Sequence, residues 1–257
     1  MVKRVCIFGL EGIPLVKAGD DLASLIIAAA KSNEVDIEDG DILVVAQKVV
    51  SKAEGRIVRL DLVKPSKKAM EIAKETERDP KIVELVMRES KRFLKASPQI
   101  LIVEDKRDIV NINAGIDKSN VKGANRYTLL PVDPDESARN LRSRIAKLTG
   151  RNVGVIISDS YSRAFRRGQV NFAIGLAGVD PFIDYRGATD LFGYVMRIKF
   201  SAVVDELASA GELVMGQGKE AIPVAVVRGL KRKSLDTRSS VKDLIITEEE
   251  DLFKDVW

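Results

Sequence analysis

The segment with the most chemical character is Ile156-Ile157-Ser158-Asp159-Ser160, followed closely by Arg163, Phe165, Arg166, Arg167 and Gly168. A carboxylate at the end of an apolar strand is held rigidly by the core while pointing out of it. The Ser160 hydroxyl adds a second hard oxygen, and such donors suit magnesium or manganese. The downstream arginines can grip phosphate or carboxylate oxygens in pairs. A strand-end aspartate capping a turn beside a solvated basic run would give the same pattern, so both readings stand. A second acid lies in the run Asn111 to Asn120. There Ala114 and Gly115 permit close backbone approach, and Asp117 and Asn120 could face one ligand. By pattern alone an Asx-turn after a strand is the simpler account of those residues. The turn Gly216-Gln217-Gly218-Lys219 could cradle phosphate on its N–H groups, or could simply end a helix. Lys52 could neutralise a phosphate or lie on the surface. Asp205 and Glu206 are adjacent on a helix, cannot both face one site, and read as structural.

Composition narrows the chemistry. The chain has 257 residues, no histidine and a single cysteine, Cys6. That removes the commonest general base, the Ser-His and Cys-His nucleophile pairs, any internal disulfide and any multi-cysteine zinc site. Catalysis is left to carboxylates, hydroxyls, lysines, arginines and hard cations. The net charge is +4, which suits a phosphorylated small molecule or nucleic acid. Aromatic residues make up only 5%, and both signs of charge are interspersed, so a stacking platform for nucleic acid is not expected. No apolar run approaches the roughly 20 residues of a membrane span, and the first residues lead straight into a strand rather than a signal peptide. A cytoplasmic protein is expected.

The elements that must position these groups follow from periodicity and punctuation. Val5 to Leu10 reads as a strand, Asp20-Asp21 opens a helix to about Lys31, and Asp39-Gly40-Asp41 turns into the buried strand Ile42 to Ala46. Pro65-Ser66 starts a helix to about Arg78. Asp79-Pro80 starts another, whose apolar stripe includes Leu85, Val86 and Phe93. Ile100 to Val103 and Ile109 to Ile112 predict a hairpin. Asp133-Pro134 opens a helix closed by Gly150, Val153 to Ser158 is a buried strand, Val203 to Met215 a helix, and Ile222 to Val227 a last core strand. The tail from Leu230 is polar and partly mobile by composition. No Gly-x-Gly-x-x-Gly fingerprint and no Gly-x4-Gly-Lys-Ser/Thr loop is present, and the regular βαβ beat is missing. The expected class is α+β, with mixed sheets and two lobes, neither Rossmann nor P-loop.

Taken in order, Glu11-Gly12-Ile13-Pro14-Leu15, Ser51-Lys52-Ala53-Glu54-Gly55-Arg56, Asn113 to Asn120, Ser158-Asp159-Ser160 with Arg166-Arg167-Gly168-Gln169, Met215 to Gly218 and Val226 to Leu230 resemble the F(420)-0:γ-glutamyl ligases. The resemblance runs from about residue 8 to 230. It implies a GTP-dependent ligase that adds L-glutamate to the deazaflavin coenzyme F(420)-0 through an acyl phosphate. Divalent manganese or magnesium, a potassium ion and an intertwined homodimer are also implied. Residues 1–230 would form the ligase unit as interleaved lobes, with a helical insertion near 65–97 and a tail over 231–257. Carried over by motif, Asp117, Asp159 and Arg166 would serve catalysis. Asp117, Asp159, Ser160 and Gln217 would hold metal. Ile13, Pro14, Leu15, Val16, Gln47, Lys48, Lys52 and Asn120 would line the GTP site, with Met215, Gly216, Gln217, Gly218, Lys219, Glu220, Ala221 and Ile222. The chain departs from the pattern at Gln217, where a member carries a metal-binding glutamate, and at Gln47-Lys48, which replace a small hydroxyl pair. A related amino-acid ligase with another phosphorylated acceptor, or a non-catalytic nucleotide- or RNA-binding protein, are the alternatives.

Overall fold

A computed structural model describes residues 4–98, 100–162, 165–230, 239–247 and 249–251. In chain order the elements are β1 (Cys6–Gly9), α1 (Leu22–Ser32), β2 (Ile42–Ala46), α2 (Gln47–Ala53), β3 (Ile57–Arg59), α3 (Lys67–Thr76) and α4 (Pro80–Glu89). There follow β4 (Ser90–Ser97), β5 (Ile100–Asp105), β6 (Val110–Ile112), β7 (Arg126–Thr128), α5 (Pro134–Thr149) and β8 (Gly154–Ser162). The chain continues through β9 (Gln169–Ala177), β10 (Phe182–Asp184), β11 (Phe200–Ala202), α6 (Val203–Met215) and β12 (Val224–Arg228). The class is α+β, as the sequence predicts.

The main sheet runs β1-β12-β2-β8-β9, with β2 and β8 parallel and the other neighbours antiparallel. Both of its faces are buried, which explains why its strands are apolar throughout rather than alternating. Leu43, Val45, Val155, Ile157, Val224 and Val226 point to the face covered by α1 and α5. Ile42, Val44, Ile156, Ala225 and Val227 point to the face covered by α6. Glycine at position 211 is what lets α6 lie down on β2, since a Cβ there would sit 2.9 Å from the Val44 side chain. The caps are those the sequence announced. Asp21, Asp79 and Asp133 accept backbone N–H groups at helix starts, and Gly150 ends α5 with φ +72°.

The segment between β3 and β7 forms a second packing unit. In it α3 and α4 cover the three-stranded sheet β4-β5-β6 around Ala69, Val83, Val86, Leu101 and Val103. The helix expected to carry Phe93 stops at Glu89, and Phe93 lies in β4, opposite Val103 of β5. Ser90–Ser97 is mostly polar and exposed, an edge strand whose register breaks twice, so it carries no apolar alternation to read. The insertion is therefore helix-helix-strand rather than helical. The predicted hairpin between β5 and β6 is present.

What ends α4 also ties the two units together. The Glu89 carboxylate oxygen Oε2 accepts from Arg56 at 2.9 Å and from Arg107 at 2.8 Å. Arg56 Nε donates to Leu130 O and Arg107 Nε to Pro131 O, the strand exit toward α5. Asp105, with no exposed surface, accepts from the Arg107 backbone and guanidinium and from Asn111. Behind the sheet, Asp135 at the start of α5 accepts from Leu176 N, Ser240 Oγ and Val241 N. Residues 239–247 are thus fastened to the core, with Val241 buried, where a polar tail was expected. Residues 231–238 lie outside the described residues.

Removing Glu89 takes its carboxylate from the half-buried Arg56 and leaves the buried Arg107 with Asp105 as its only acid. Glu89→Ala is expected to lower unfolding free energy by about 3–5 kcal/mol in chemical denaturation. Arg59→Ala, which breaks an exposed pair with Asp61, should leave the unfolding free energy nearly unchanged. Equal effects would show that the clamp is no stronger than a surface pair.

Candidate active site

Strand β2 ends at Ala46, opposite Ser158 of the parallel β8, which does not stop there as expected but runs on to Ser162 by pairing with β9, so Asp159 is a strand residue. Helix α2 begins at the very next residue after β2, with no loop between. Gln47 and Lys48 are therefore delivered to the carboxyl edge of the sheet, beside Asp159, the position where open α/β sheets offer crevices. Gln47 Nε2 lies 3.5 Å from Asp159 Oδ1, and Gln47 Oε1 accepts from Ser51 at 2.9 Å. The buried Gln47 side chain is thereby locked, with its amide N–H group aimed at the acid.

The second acid arrives from the other packing unit. Asn113, Ala114 and Gly115 all have positive φ, which folds the chain tightly after β6. Asp117 then bridges Thr128 through both backbone hydrogen bonds, 3.1 and 2.8 Å. This fixes the Asp117 backbone like a strand residue while its side chain faces α2. Lys48 Nζ lies 2.6 Å from Asp117 Oδ2 and 3.1 Å from Ser119 O. Lys52, one turn on, donates to Asn120 O at 2.7 Å, and Asn120 Nδ2 donates to Gly218 O at 3.1 Å. A continuous polar chain thus joins α2, the 117–120 loop and the glycine turn after α6.

Side chains alternate along a strand, so Asp159 and Ser160 face opposite sides of β8. Ser160 Oγ donates to Gln217 Oε1 at 2.8 Å, and Gln217 Nε2 donates to Asn171 Oδ1 at 2.9 Å and Glu212 Oε1 at 2.6 Å. Asn171 N donates to Glu212 Oε2 at 2.8 Å. Neither Asn171 nor Glu212 belongs to any motif in the sequence. A carboxylate in the last turn of α6 opposes the helix dipole, and that misplacement is the one signal that could have singled out Glu212. An amide at 217 also suits this neighbour, because a second carboxylate beside Glu212 would repel it.

The remaining expected residues divide. Gly216 ends α6 with φ +67°, and a Cβ there would collide with the Glu220 carboxyl, which accepts from Gly218 N at 2.7 Å. Met215 is buried, Lys219 and Glu220 are exposed, and Ala221 has φ +58°. Ile222 packs against Gly9. Ile13 and Val16 are in the main core, leaving the backbone and the exposed Pro14 and Leu15 as the groups that segment can offer. Arg166 is exposed in the turn between β8 and β9. Among the described residues no ion pair joins it to Asp117 or Asp159, and Arg163 lies outside the described residues. Asp205, read as structural, accepts from Ala173 N at 2.9 Å.

Electrostatics distinguishes the two acids. Part of Asp159 reaches solvent, but protein atoms crowd its carboxyl, and this desolvation pushes its pKa up to about 6. Attraction by Lys48 and a bond from Ser160 N offset it in part, while Asp117 adds repulsion. Burial acts on Asp117 too, but hydrogen bonds from Lys48 and Ser119 outweigh it and hold that carboxyl below the usual range. Desolvation, then the charge of Lys48, lowers Lys52. No group of three or more His, Cys, Asp or Glu suited to a metal occurs among the described residues. The acid donors here are the two carboxylates, with the Ser160 hydroxyl and Gln217 amide oxygen on the other side of β8, and Asp159 lacks a full counter-charge. That fits magnesium or manganese, which bind through one or two carboxylates and complete their shell with water and phosphate oxygens.

Comparison with known proteins now decides the family. The model of the "F420-0:Gamma-glutamyl ligase" family matches residues 12–229. The chain belongs to this family. It is 46% identical over 251 residues to "Coenzyme F420:L-glutamate ligase" of Archaeoglobus fulgidus, covering 98% of this chain and 97% of the relative. Identity to the protein of that name from Methanothermobacter thermautotrophicus is 43% over 250 residues, 97% and 99% of the two chains. For Methanocaldococcus jannaschii it is 42% over 254 residues, 98% of each. Family membership makes the chain a ligase relative over nearly its whole length. No helix among the described residues is long and apolar enough to cross a membrane.

A buried acid with a raised pKa costs stability once ionised. That cost develops as pH rises from the unfolded carboxyl's range to about 6, and is constant above. Asp159→Asn is therefore expected to raise the melting temperature of metal-free protein at pH 8 by at least about 2 °C. The gain should vanish near pH 4 and should accompany loss of activity. A variant less stable than wild type at pH 8 would contradict this placement of the carboxyl.

Proposed function

We propose that this ligase joins L-glutamate to the coenzyme F(420)-0 through an amide bond at the expense of GTP, via an acyl phosphate. The terminal carboxylate of the acceptor would attack the γ-phosphorus of GTP, breaking the bond to the bridging oxygen and releasing GDP. The glutamate amine would then attack the acyl carbon, expel inorganic phosphate and lose a proton. Magnesium or manganese, when bound, would screen the phosphate charge that otherwise repels the attacking carboxylate. The observation that supports this best is the meeting of Asp117 and Asp159, from separate packing units, beside Gln47, Lys48 and Lys52.

Each residue has a task in this reading. Asp117 and Asp159 would hold the first divalent cation. Ser160 and Gln217, with Glu212 behind them, would serve a second, and potassium would be the accompanying monovalent ion. Lys52, with Asn120 and the turn of residues 216 to 222, would hold the triphosphate. Arg166 would reach an anionic substrate group from the β8–β9 turn. Phosphoryl transfer needs positioning and charge neutralisation more than a covalent nucleophile, so the absence of histidine is no handicap.

The homodimer belongs to the same proposal. The pair β10 and β11 carries an arm extended by the Thr189–Val195 bridge, with Phe182 and Phe200 rings 5.0 Å apart at its base. Leu191, Phe192 and Ile198 are 97%, 94% and 86% exposed. Large apolar side chains so bare on one arm match a contact with a second copy of this chain.

Incubation with GTP, manganese, glutamate and F(420)-0 is expected to add the mass of one glutamyl unit or more to the acceptor. Asp117→Asn should lower the rate by at least about 100-fold. GTP hydrolysis without a mass gain would point to another acceptor. Salt-sensitive RNA binding without hydrolysis would point to the non-catalytic alternative. In sedimentation, wild type should run as a dimer and the double variant Leu191→Asp, Phe192→Asp as a folded monomer. A dimeric double variant would remove the arm from the interface.

A further inference from the structure

The polar cluster where α2 meets β8 and the 117–120 loop already contains a cation of its own. Lys48 Nζ is 2.6 Å from Asp117 Oδ2, its side chain is only 15% exposed, and its charge also attracts Asp159. Two carboxylates and one ammonium thus share the place where the proposed function puts a divalent ion. An ammonium and a divalent cation repel at contact range, and each would use the oxygens of Asp117. They compete for Asp117, whose Oδ1 already accepts from Ser119 N at 2.7 Å.

We propose that Lys48 is a displaceable counter-ion, which holds Asp117 while the divalent cation is absent and moves to the nucleotide's phosphates when the cation binds. The inference rests on the metal-and-nucleotide reading above. The lysine stem is long and flexible, so its ammonium can travel several ångströms while the backbone of α2 stays fixed. Lys52, four residues on along the same helix and close enough for its pKa to be lowered by Lys48, stays on the Asn120 carbonyl. The ammonium leaving Asp117 is pushed by that neighbour and by the incoming cation, so it needs an anion, and a triphosphate provides one. Cation binding without nucleotide then breaks an ion pair and gives Lys48 nothing in exchange. With nucleotide present the ammonium is repaired at once. The two ligands are coupled through this one side chain, and the coupling is reciprocal.

The test is a manganese titration of the full-length, nucleotide-free protein, reading free manganese by its electron paramagnetic resonance signal. Lys48→Met is expected to bind manganese about tenfold more tightly than wild type and GTP more weakly, within the usual range of coupling. Lys48→Gln should behave alike, and Lys48→Arg should stay near wild type because it keeps the ion pair. Lys52→Met, whose ammonium rests on a carbonyl rather than a carboxylate, should tighten manganese far less. Unchanged or weaker manganese binding by folded Lys48→Met and Lys48→Gln would overturn the proposal. If wild type binds manganese, Asp117→Asn loses it and Lys48→Met does not tighten it, displacement fails while the metal reading survives. If neither wild type nor Lys48→Met binds manganese, the metal reading fails as well.

Discussion

The fold is organised by one carboxylate shared between two guanidinium groups. Glu89 receives Arg56, which follows the first packing unit, and Arg107, which belongs to the second. Both arginines also bond the backbone at Leu130 and Pro131, where the chain leaves the second unit. Entry and exit are therefore pinned at one buried point. A pair enclosed in this way gains little over a hydrophobic substitute in stability, but it is costly to break. Its consequence is geometric. Asp117 belongs to one unit and Asp159 to the other, and their meeting depends on how the units are held.

The site built on that clamp is left electrostatically unfinished. Asp159 is crowded by protein and only partly compensated, whereas Asp117 is compensated by a lysine on a flexible stem. A fully satisfied pair of acids would be more stable and less receptive. Local destabilisation of this kind is common where a ligand is to supply the missing charge. The second polar cluster, Ser160 with Asn171, Gln217 and Glu212, is by contrast closed by hydrogen bonds. Adjacent residues on one strand thus open onto two environments of opposite character.

The elements that sequence showed best were those with local signals. The helix over Val203–Met215 and the stop at Gly150 follow from periodicity and a left-handed glycine, each written within a few residues. The acids at 117 and 159 were visible as strand-end and turn residues, although only the ordered motifs lifted them above a structural reading. What was not legible is what depends on distant partners. Strand β4 is polar and becomes a strand only by pairing with β5. Glu89, Asp105 and Arg107 carry no local sign of the buried cluster they form, because their partners lie far along the chain or in a loop. Ile13 and Val16 were expected beside the nucleotide, yet their side chains went to the core, as apolar residues at that spacing tend to do.

The fastening of residues 239–247 bears on how the protein is handled. Asp135 lies under Ser240 and Val241, and its carboxylate sits at the start of α5 against β9. Cutting the chain before that segment would leave a buried acid short of two donors and uncover the socket of Val241 in the α6 face of the core. The stretch therefore behaves as the last piece of the hydrophobic layer, and shortening it for crystallisation would trade tidiness for a wound in the main sheet's packing.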